Sequence, residues 1–349
     1  MCWMRAAIEP SWQPKTMTDW TIANIPPQAG KLAVVTGATG GLGYQTAMRL
    51  AQAGAEVALT GRNEAKGREA VSKIRNQFPD ANVSFEALDL ANLASIADFA
   101  ERFATAHSSL DLLINNACVM ALPTRQTTAD GFEMQFGTNY LGHYALTARL
   151  LPLLRRAHQP RVVSLSSIAH RMGFIQFSDL QGERFYSPWK AYNQSKLAML
   201  MFALELQRRS DATGWNLMSN ASHPGWARTD LFTSGPGFGL ISFASQLAAP
   251  LFSQSAESGA LPTLFAATSP QAERGGYYGP NGLNEYCRAH PWRRGEDSPC
   301  VRVCGAVGGL GPDARAAAFL FDVERTCFSH EIAELPMAVR AHVEIREQV

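Results

Sequence analysis

From residue 31 onward, short apolar runs alternate with segments whose apolar positions recur every three to four residues. The runs suit strands covered on both faces, and the longer period puts one apolar stripe on a helix. The strand candidates are LAVV (32–35), EVALT (56–60), VSFEAL (83–88), LDLLI (110–114), RVVSL (161–165) and NLMSNA (216–221), with a seventh at 276–278. Helical spacing runs through 42–53, 64–76, 93–106, 130–156 and 187–209, and Gly54 stands where a helix C-cap is expected. This order builds βαβ units, so the expected fold is α/β: a doubly wound, mostly parallel sheet of about seven strands with helices on both faces. In such a sheet, ligands bind beyond the carboxyl ends of the strands.

Residues 1–30, with Trp3, Trp12, Trp20 and four prolines, hold no sustained period and read as an irregular arm; Met17 is an alternative start. The expected Rossmann-type dinucleotide-binding and catalytic domain covers 31–286, and no architecture is assigned to 287–349. The 349 residues are 46% hydrophobic and 17% charged, ordinary for a soluble globular chain, and the net charge of +1 gives no global reason to expect nucleic acid as partner. Six cysteines in so long a chain make no disulfide framework, and no basic-then-apolar leader opens it, so the expected setting is cytoplasmic and reducing. The longest apolar stretch, 237–252, is broken by serines and Gln246 and is shorter than the ~20 residues of a spanning helix. No integral membrane segment is expected, although a helix lying on a membrane surface would fit there.

Local chemistry starts with TGATGGLG, Thr36 to Gly43, directly after the first strand. Gly37, Gly41 and Gly43 let the backbone bend and approach a pyrophosphate, which then meets the N-terminus of the next helix; Thr39 and Leu42 belong to the same cofactor-binding turn. Such turns also arise for steric reasons, but here a strand precedes, a helix follows and a second strand comes at the right distance. A second run, GAVGGLG at 305–311, is followed by Pro312 and no clear strand, so it reads as a loop. At the end of the second strand, where a carboxylate would grip a ribose 2′-hydroxyl, the chain has Thr60-Gly61-Arg62. Arg62 suits a 2′-phosphate by charge and bidentate hydrogen bonding, so NADP(H) is expected and NAD(H) is the alternative.

Tyr192 and Lys196 lie four apart in a helical pattern and project from one face, one turn apart. A phenol with a reference pKa of about 10 must fall by about 3, an interaction of ~4 kcal/mol, to be poised near neutrality. One positive charge at ~4 Å in an effective dielectric of ~20 supplies about that much, so Lys196 is expected to lower the tyrosine. Ser167, just past the end of RVVSL, is placed to hydrogen-bond a substrate carbonyl, or to cap a turn. Asn139, within a long amphipathic segment, fits a structural role better than a water-holding one near Lys196.

TGATGGLG, Asp89-Leu90, NNA at 115–117, Asn139, Ser167, Tyr192-x-x-x-Lys196 and His223-Pro224-Gly225 followed by Arg228-Thr229 together resemble the short-chain dehydrogenase/reductase family. The stretch from Ser166 to Arg209 is similar to its retinol-dehydrogenase-like branch, and the resemblance runs over roughly 31–286. It implies a tetrad: Tyr192 as general acid/base, Ser167 orienting the carbonyl, Lys196 binding the nicotinamide ribose, and Asn139 supporting a water-linked proton relay. It also implies that Asp89 and Leu90 flank adenine, that Asn116 and Ala117 line the cofactor cleft, and that Pro224, Gly225 and Thr229 meet the nicotinamide end. The substrate implied is a small apolar alcohol or carbonyl, with no metal and a homo-oligomer allowed. The chain departs from the family at Cys118, where the pattern has glycine. Cys287-x-x-His290, Cys300-x-x-x-Cys304 and Cys327-x-x-His330 are spaced too loosely to be read as zinc ligands. The segment 231–255 is expected to form a lid over the substrate. The contrasting reading is a non-catalytic dinucleotide-binding module, a redox sensor or partner-binding protein.

Overall fold

The computed structural model describes residues 20–225, 255–280 and the backbone of 289–290. Seven parallel strands form the sheet: β1 Leu32–Thr36, β2 Glu56–Gly61, β3 Val83–Ala87, β4 Leu112–Asn115, β5 Arg161–Leu165, β6 Met218–Ser222 and β7 Tyr277–Pro280. Their order is β3-β2-β1-β4-β5-β6-β7, and a two-residue strand, β8 Ala289–His290, pairs antiparallel with β7. The doubly wound architecture is as the apolar runs predict, and the sheet extends past residue 286. Chain direction reverses its march across the sheet between β1 and β4, where Val35 pairs with Leu59 on one side and Ile114 on the other. A crevice opens at such a switch point because the connections leave in opposite directions.

Both faces are covered. Ile96 and Phe99 of α3 (Leu93–Ala106), Leu146 and Leu150 of α5 (Gly142–Leu154) and Phe202 of α6 (Pro188–Thr213) fill one side. On the other side lie Leu50 of α1 (Gly41–Gln52), Ile74 of α2 (Glu64–Gln77) and Phe265 of α7 (Ala256–Thr268). Asn63 accepts the Lys66 N–H to cap α2, and Asn92 accepts those of Ala94 and Ser95 to cap α3, each cap worth about 1 kcal/mol. The last part of the arm is fastened: Trp20 meets Phe265 edge-on at 5.5 Å, and the Gln28 N–H donates to the Ala53 carbonyl at 2.8 Å.

Two elements differ from the periodicity. The helix expected over 130–156 starts later, as α4 Met134–Phe136, because the Glu133 carboxylate accepts the N–H groups of Gln135 and Phe136. It then passes through a π-helical turn, Gly137–Leu141, before α5. A one-residue widening of this kind leaves no trace in a coarse hydrophobic period. Helix α7 was not foreseen, because its residues from Gly259 to Thr268 are buried nearly all round and Pro262 interrupts them, so no single stripe marks it.

A buried polar line ties α5 to β1. The His143 Nδ1 lies 2.9 Å from the Asn139 carbonyl, an obligate acceptor, so Nδ1 carries the proton and Nε2 accepts from the Thr36 hydroxyl at 2.9 Å. Burial pushes the His143 pKa down to about 4, against the bond to Asn139, which raises it, while Lys196 lowers it further. His143 is therefore neutral when folded, and the unfolded chain takes up its proton first on acidification. This contribution to stability is intact above about pH 6.5 and is lost as the pH falls towards about 4, with a slope of up to ~1.4 kcal/mol per pH unit. Melting temperature followed across that window should fall more steeply for wild type than for His143→Gln, which cannot ionise; parallel curves would contradict the assignment.

Candidate active site

The carboxyl ends of β1, β2, β4, β5 and β6 open into one cavity of about 750 Å³. At one end lies the glycine turn. Gly37 has φ +63°, and a Cβ there would come within 2.9 Å of the Ala117 Cα; a Cβ on Gly43 would meet the Gly37 carbonyl at 2.4 Å and the Asn116 amide at 2.5 Å. Side chains at these positions would break the packing of turn, helix and β4 connection. Gly40 is the N-cap of α1 and supplies no capping side chain, so the first-turn N–H groups of α1 are left for another acceptor. Thr39, Gly40, Gly41, Leu42 and Gly43 all line the cavity there, as a bound phosphate would require.

Thr36 organises the wall behind this turn. Its hydroxyl accepts the N–H groups of Asn116 (2.8 Å) and Ala117 (2.9 Å) while donating to His143, so its one proton and both lone pairs are used. The Asn116 amide donates to the Thr36 carbonyl at 2.7 Å. Further along, Arg62 follows β2 and Lys66 stands one helical turn later; both line the cavity, and no carboxylate lines it at the end of β2. Leu88, Asp89 and Leu90 form the adjoining wall after β3. Asp89 shapes its own turn, accepting the Ala91 N–H at 3.0 Å while its N–H donates to Ser95. This combination of open helix N-terminus, paired cations and close glycine packing fits a nicotinamide dinucleotide.

At the other end the chemistry converges. Ser166 Oγ donates to the Lys196 carbonyl at 2.8 Å, and Lys196 Nζ donates to the Leu165 carbonyl at 3.0 Å. Ser167 Oγ accepts the Ala169 N–H at 3.2 Å, and the Tyr192 hydroxyl stands beside it on the same cavity wall. Trp189, one turn before Tyr192, meets its ring edge-on at 6.0 Å. Burial pushes the Tyr192 phenol above its ordinary range; the Cys118 thiol beside it adds to the rise, and the Ser167 hydroxyl opposes it. The expected downward pull of Lys196 does not prevail, because its ammonium is held by the Leu165 carbonyl and stands 5.8 Å from the Tyr192 ring centre.

Pro224 and Gly225 reach the cavity after β6, while Asn139 does not line it. Asn139 lies behind the wall, 1% exposed, with its amide accepting the Val119 N–H at 2.8 Å and donating to the Val119 carbonyl and Ser195 Oγ, each at 2.9 Å. Its side chain thus braces the segment after Cys118 and helix α6. Thr229, the segment 231–254, the glycine run at 305–311 and the cysteines of the C-terminal extension lie outside the described residues. Among the described residues no group of three metal-ligating side chains occurs.

Several cavity residues escaped the sequence reading. Lys66 was visible as a second cation one turn after Arg62, and Trp189 as the i−3 neighbour of Tyr192 on the same helix face. Met120 and Met172 carry no signal, being ordinary apolar residues, one in the connection after β4 and one at the end of a 3-10 helix, Ile168–Met172. Behind Ser167, the His170 Nδ1 lies 2.6 Å from the Ser167 carbonyl and 3.2 Å from the Tyr277 hydroxyl. Burial pushes His170 down to about 4 and His223 down to about 3, so both are neutral beneath the site.

The family model for short chain dehydrogenase matches residues 31–235. Polyprenol dehydrogenase of Mus musculus is 41% identical over 298 residues, covering 82% of this chain and 87% of that relative. Retinol dehydrogenase 13 of Mus musculus is 44% identical over 234 residues, covering 63% of this chain and 69% of that relative. A crystal structure of an uncharacterized protein from Mycobacterium Paratuberculosis superposes with a TM-score of 0.69 at 38% identity, covering 89% of this chain and 98% of that one. The chain is therefore a member of the short-chain dehydrogenase family, in its retinol-dehydrogenase-like branch, and an oxidoreductase of alcohols and carbonyls.

Proposed function

We propose that this chain is an NADP(H)-preferring oxidoreductase that interconverts an apolar alcohol and its carbonyl partner in the cytoplasm, with Tyr192 as general acid/base. One observation carries the reading: a single cavity has Arg62 and Lys66 at one end and the neighbouring Tyr192 and Ser167 hydroxyls at the other. When bound, a nicotinamide dinucleotide supplies or receives the hydride. Ser167 orients the carbonyl oxygen, and Tyr192 gives it a proton as negative charge develops there. A phenol held above its ordinary range is fully protonated at neutral pH, which suits proton donation and hence carbonyl reduction. Lys196 holds the end of β5 in register and presents positive charge to the nicotinamide ribose. Asn139 acts as a positioning residue for Val119 and Ser195. The apolar lining contributed by Val119, Met120, Met172 and Trp189 supports an apolar substrate, as do the names of the polyprenol and retinol dehydrogenases to which the chain is similar.

In assays of NADPH consumption against a panel of carbonyls, Tyr192→Phe should lower kcat by roughly 10²–10⁴-fold while leaving NADPH affinity nearly unchanged. Undiminished turnover would remove Tyr192 from its role, and NADPH binding without turnover of any carbonyl by wild type would favour the non-catalytic module. For the cofactor, Arg62→Ala combined with Lys66→Ala should weaken NADPH binding by roughly 10–100-fold and leave NADH nearly unaffected, the equivalent of one or two charge-assisted hydrogen bonds. Equal losses for both cofactors in a binding titration would defeat the preference for NADP(H).

A further inference from the structure

Among the described residues, the large apolar side chains that stand exposed are Met172 (75%), Phe174 (73%), Phe177 (41%), Phe185 (66%) and Trp189 (42%). All five fall between residues 172 and 189, the end of the connection from β5 to α6 and the start of that helix. Isolated exposed apolar residues need no explanation, but their confinement to one stretch marks an interaction surface. The stretch is anchored to the body. Ile175 is buried in the core, the Gln176 N–H donates to Gln194, Gln194 donates to the Leu180 carbonyl, and the Tyr186 hydroxyl donates to the Leu122 carbonyl. The aromatic side chains therefore face outward while the backbone beneath them is tied down.

Two further observations identify the partner. Met172 and Trp189 line the cavity as well as standing exposed, so the exposed apolar stretch reaches the mouth of the site. Exposed Arg184 lies between Phe177 and Phe185 and donates to the Ser178 carbonyl, Arg171 and Lys190 flank the stretch, with Arg171 also lining the cavity, and the Lys190 ammonium stands 4.9 Å over the Phe185 ring. Of the two carboxylates of the stretch, Asp179 accepts the backbone N–H groups of Glu183, Arg184 and Phe185 and is attracted by the Arg184 guanidinium, and Glu183 lies 3.9 Å from Arg125, so the three cations leave the stretch with a small positive excess. Bulky apolar groups ringed by cations are what an anionic lipid–water boundary takes up, the apolar groups entering between headgroups and the cations meeting phosphates. A second copy of this chain fits less well, because a two-fold contact would set this basic face against itself and cover the mouth.

We propose that residues 172–190 form a docking surface for an anionic phospholipid bilayer, from which an apolar substrate enters the cavity past Met172 and Trp189. Docking stands on its own, while the entry of substrate rests on the catalytic reading above. Among the described residues no helix is long and apolar enough to cross a membrane.

The test is sedimentation of the full chain with vesicles of phosphatidylcholine alone and with phosphatidylserine added, at low and high salt. Wild type should bind the vesicles containing phosphatidylserine and release them as salt screens the charges. The double variants Phe174→Ser/Phe185→Ser and Arg184→Glu/Lys190→Glu should each reduce partitioning by about tenfold or more, with melting temperatures confirming that they fold. Reduction of a short, water-soluble carbonyl should be unchanged in both variants, and reduction of a long-chain aldehyde carried in vesicles should fall. Failure of wild type to bind either vesicle, or equal binding by both variants, would overturn the proposal. So would a wild-type dimer that the Phe variant dissociates while vesicle binding is unaffected. Vesicle binding without turnover of any carbonyl would instead sink the catalytic reading and leave the docking surface standing.

Discussion

At the end of β5, Ser166 and Lys196 hold each other's neighbourhoods in place: the serine hydroxyl bonds the lysine carbonyl, and the lysine ammonium bonds the carbonyl of Leu165. With both bonds made, α6 is pinned to the carboxyl end of the strand and its rotation is fixed. Tyr192, one turn earlier on that helix, is then set beside Ser167, one residue past Ser166, on the cavity wall. Loss of this pair would leave a buried ammonium without its acceptor, and it would separate the tyrosine from the serine before any substrate arrived. The parallel sheet is what makes the pairing possible, since it delivers the ends of β1, β4 and β5 to one edge.

The nucleotide end depends on a similar economy of atoms. Thr36 spends its hydroxyl on Asn116, Ala117 and His143, which draws the glycine turn, the connection after β4 and helix α5 into one body. Asn139 extends that body to Val119 and Ser195, so the floor beneath nucleotide and chemistry is continuous. The π-helical turn at Gly137–Leu141 contains Asn139, and its carbonyl meets His143 four residues on. Cys118 sits at the junction of the two ends, beside the tyrosine whose pKa it helps to raise.

Much of this was legible in the chain because parallel strands buried on both faces write themselves as apolar runs. RVVSL and LAVV predict their strands directly, and the TGATGGLG turn must carry glycine where a Cβ would strike Ala117 or Asn116. The spacing of Tyr192 and Lys196 likewise fixes a shared helix face. What was not legible depends on tertiary contact. The start of α4 is set by a carboxylate cap at Glu133, α7 is apolar on nearly every side, and the direction of the Lys196 ammonium is decided by a carbonyl on another element. That last point reversed an expectation: a lysine four residues from a tyrosine lowers its pKa only if the ammonium reaches the hydroxyl, and burial otherwise wins.

In the proposed reaction, a carbonyl oxygen would lodge between the Tyr192 and Ser167 hydroxyls and take its proton from Tyr192. The most direct measurement is reduction of an apolar aldehyde with NADPH carrying deuterium in place of both C4 hydrogens of the dihydronicotinamide, with the alcohol product analysed by mass spectrometry. Deuterium bound to the carbinol carbon, and absent from the hydroxyl after exchange, is the predicted result. An alcohol with no deuterium on carbon, formed while the cofactor is consumed, would contradict direct hydride transfer in this cavity.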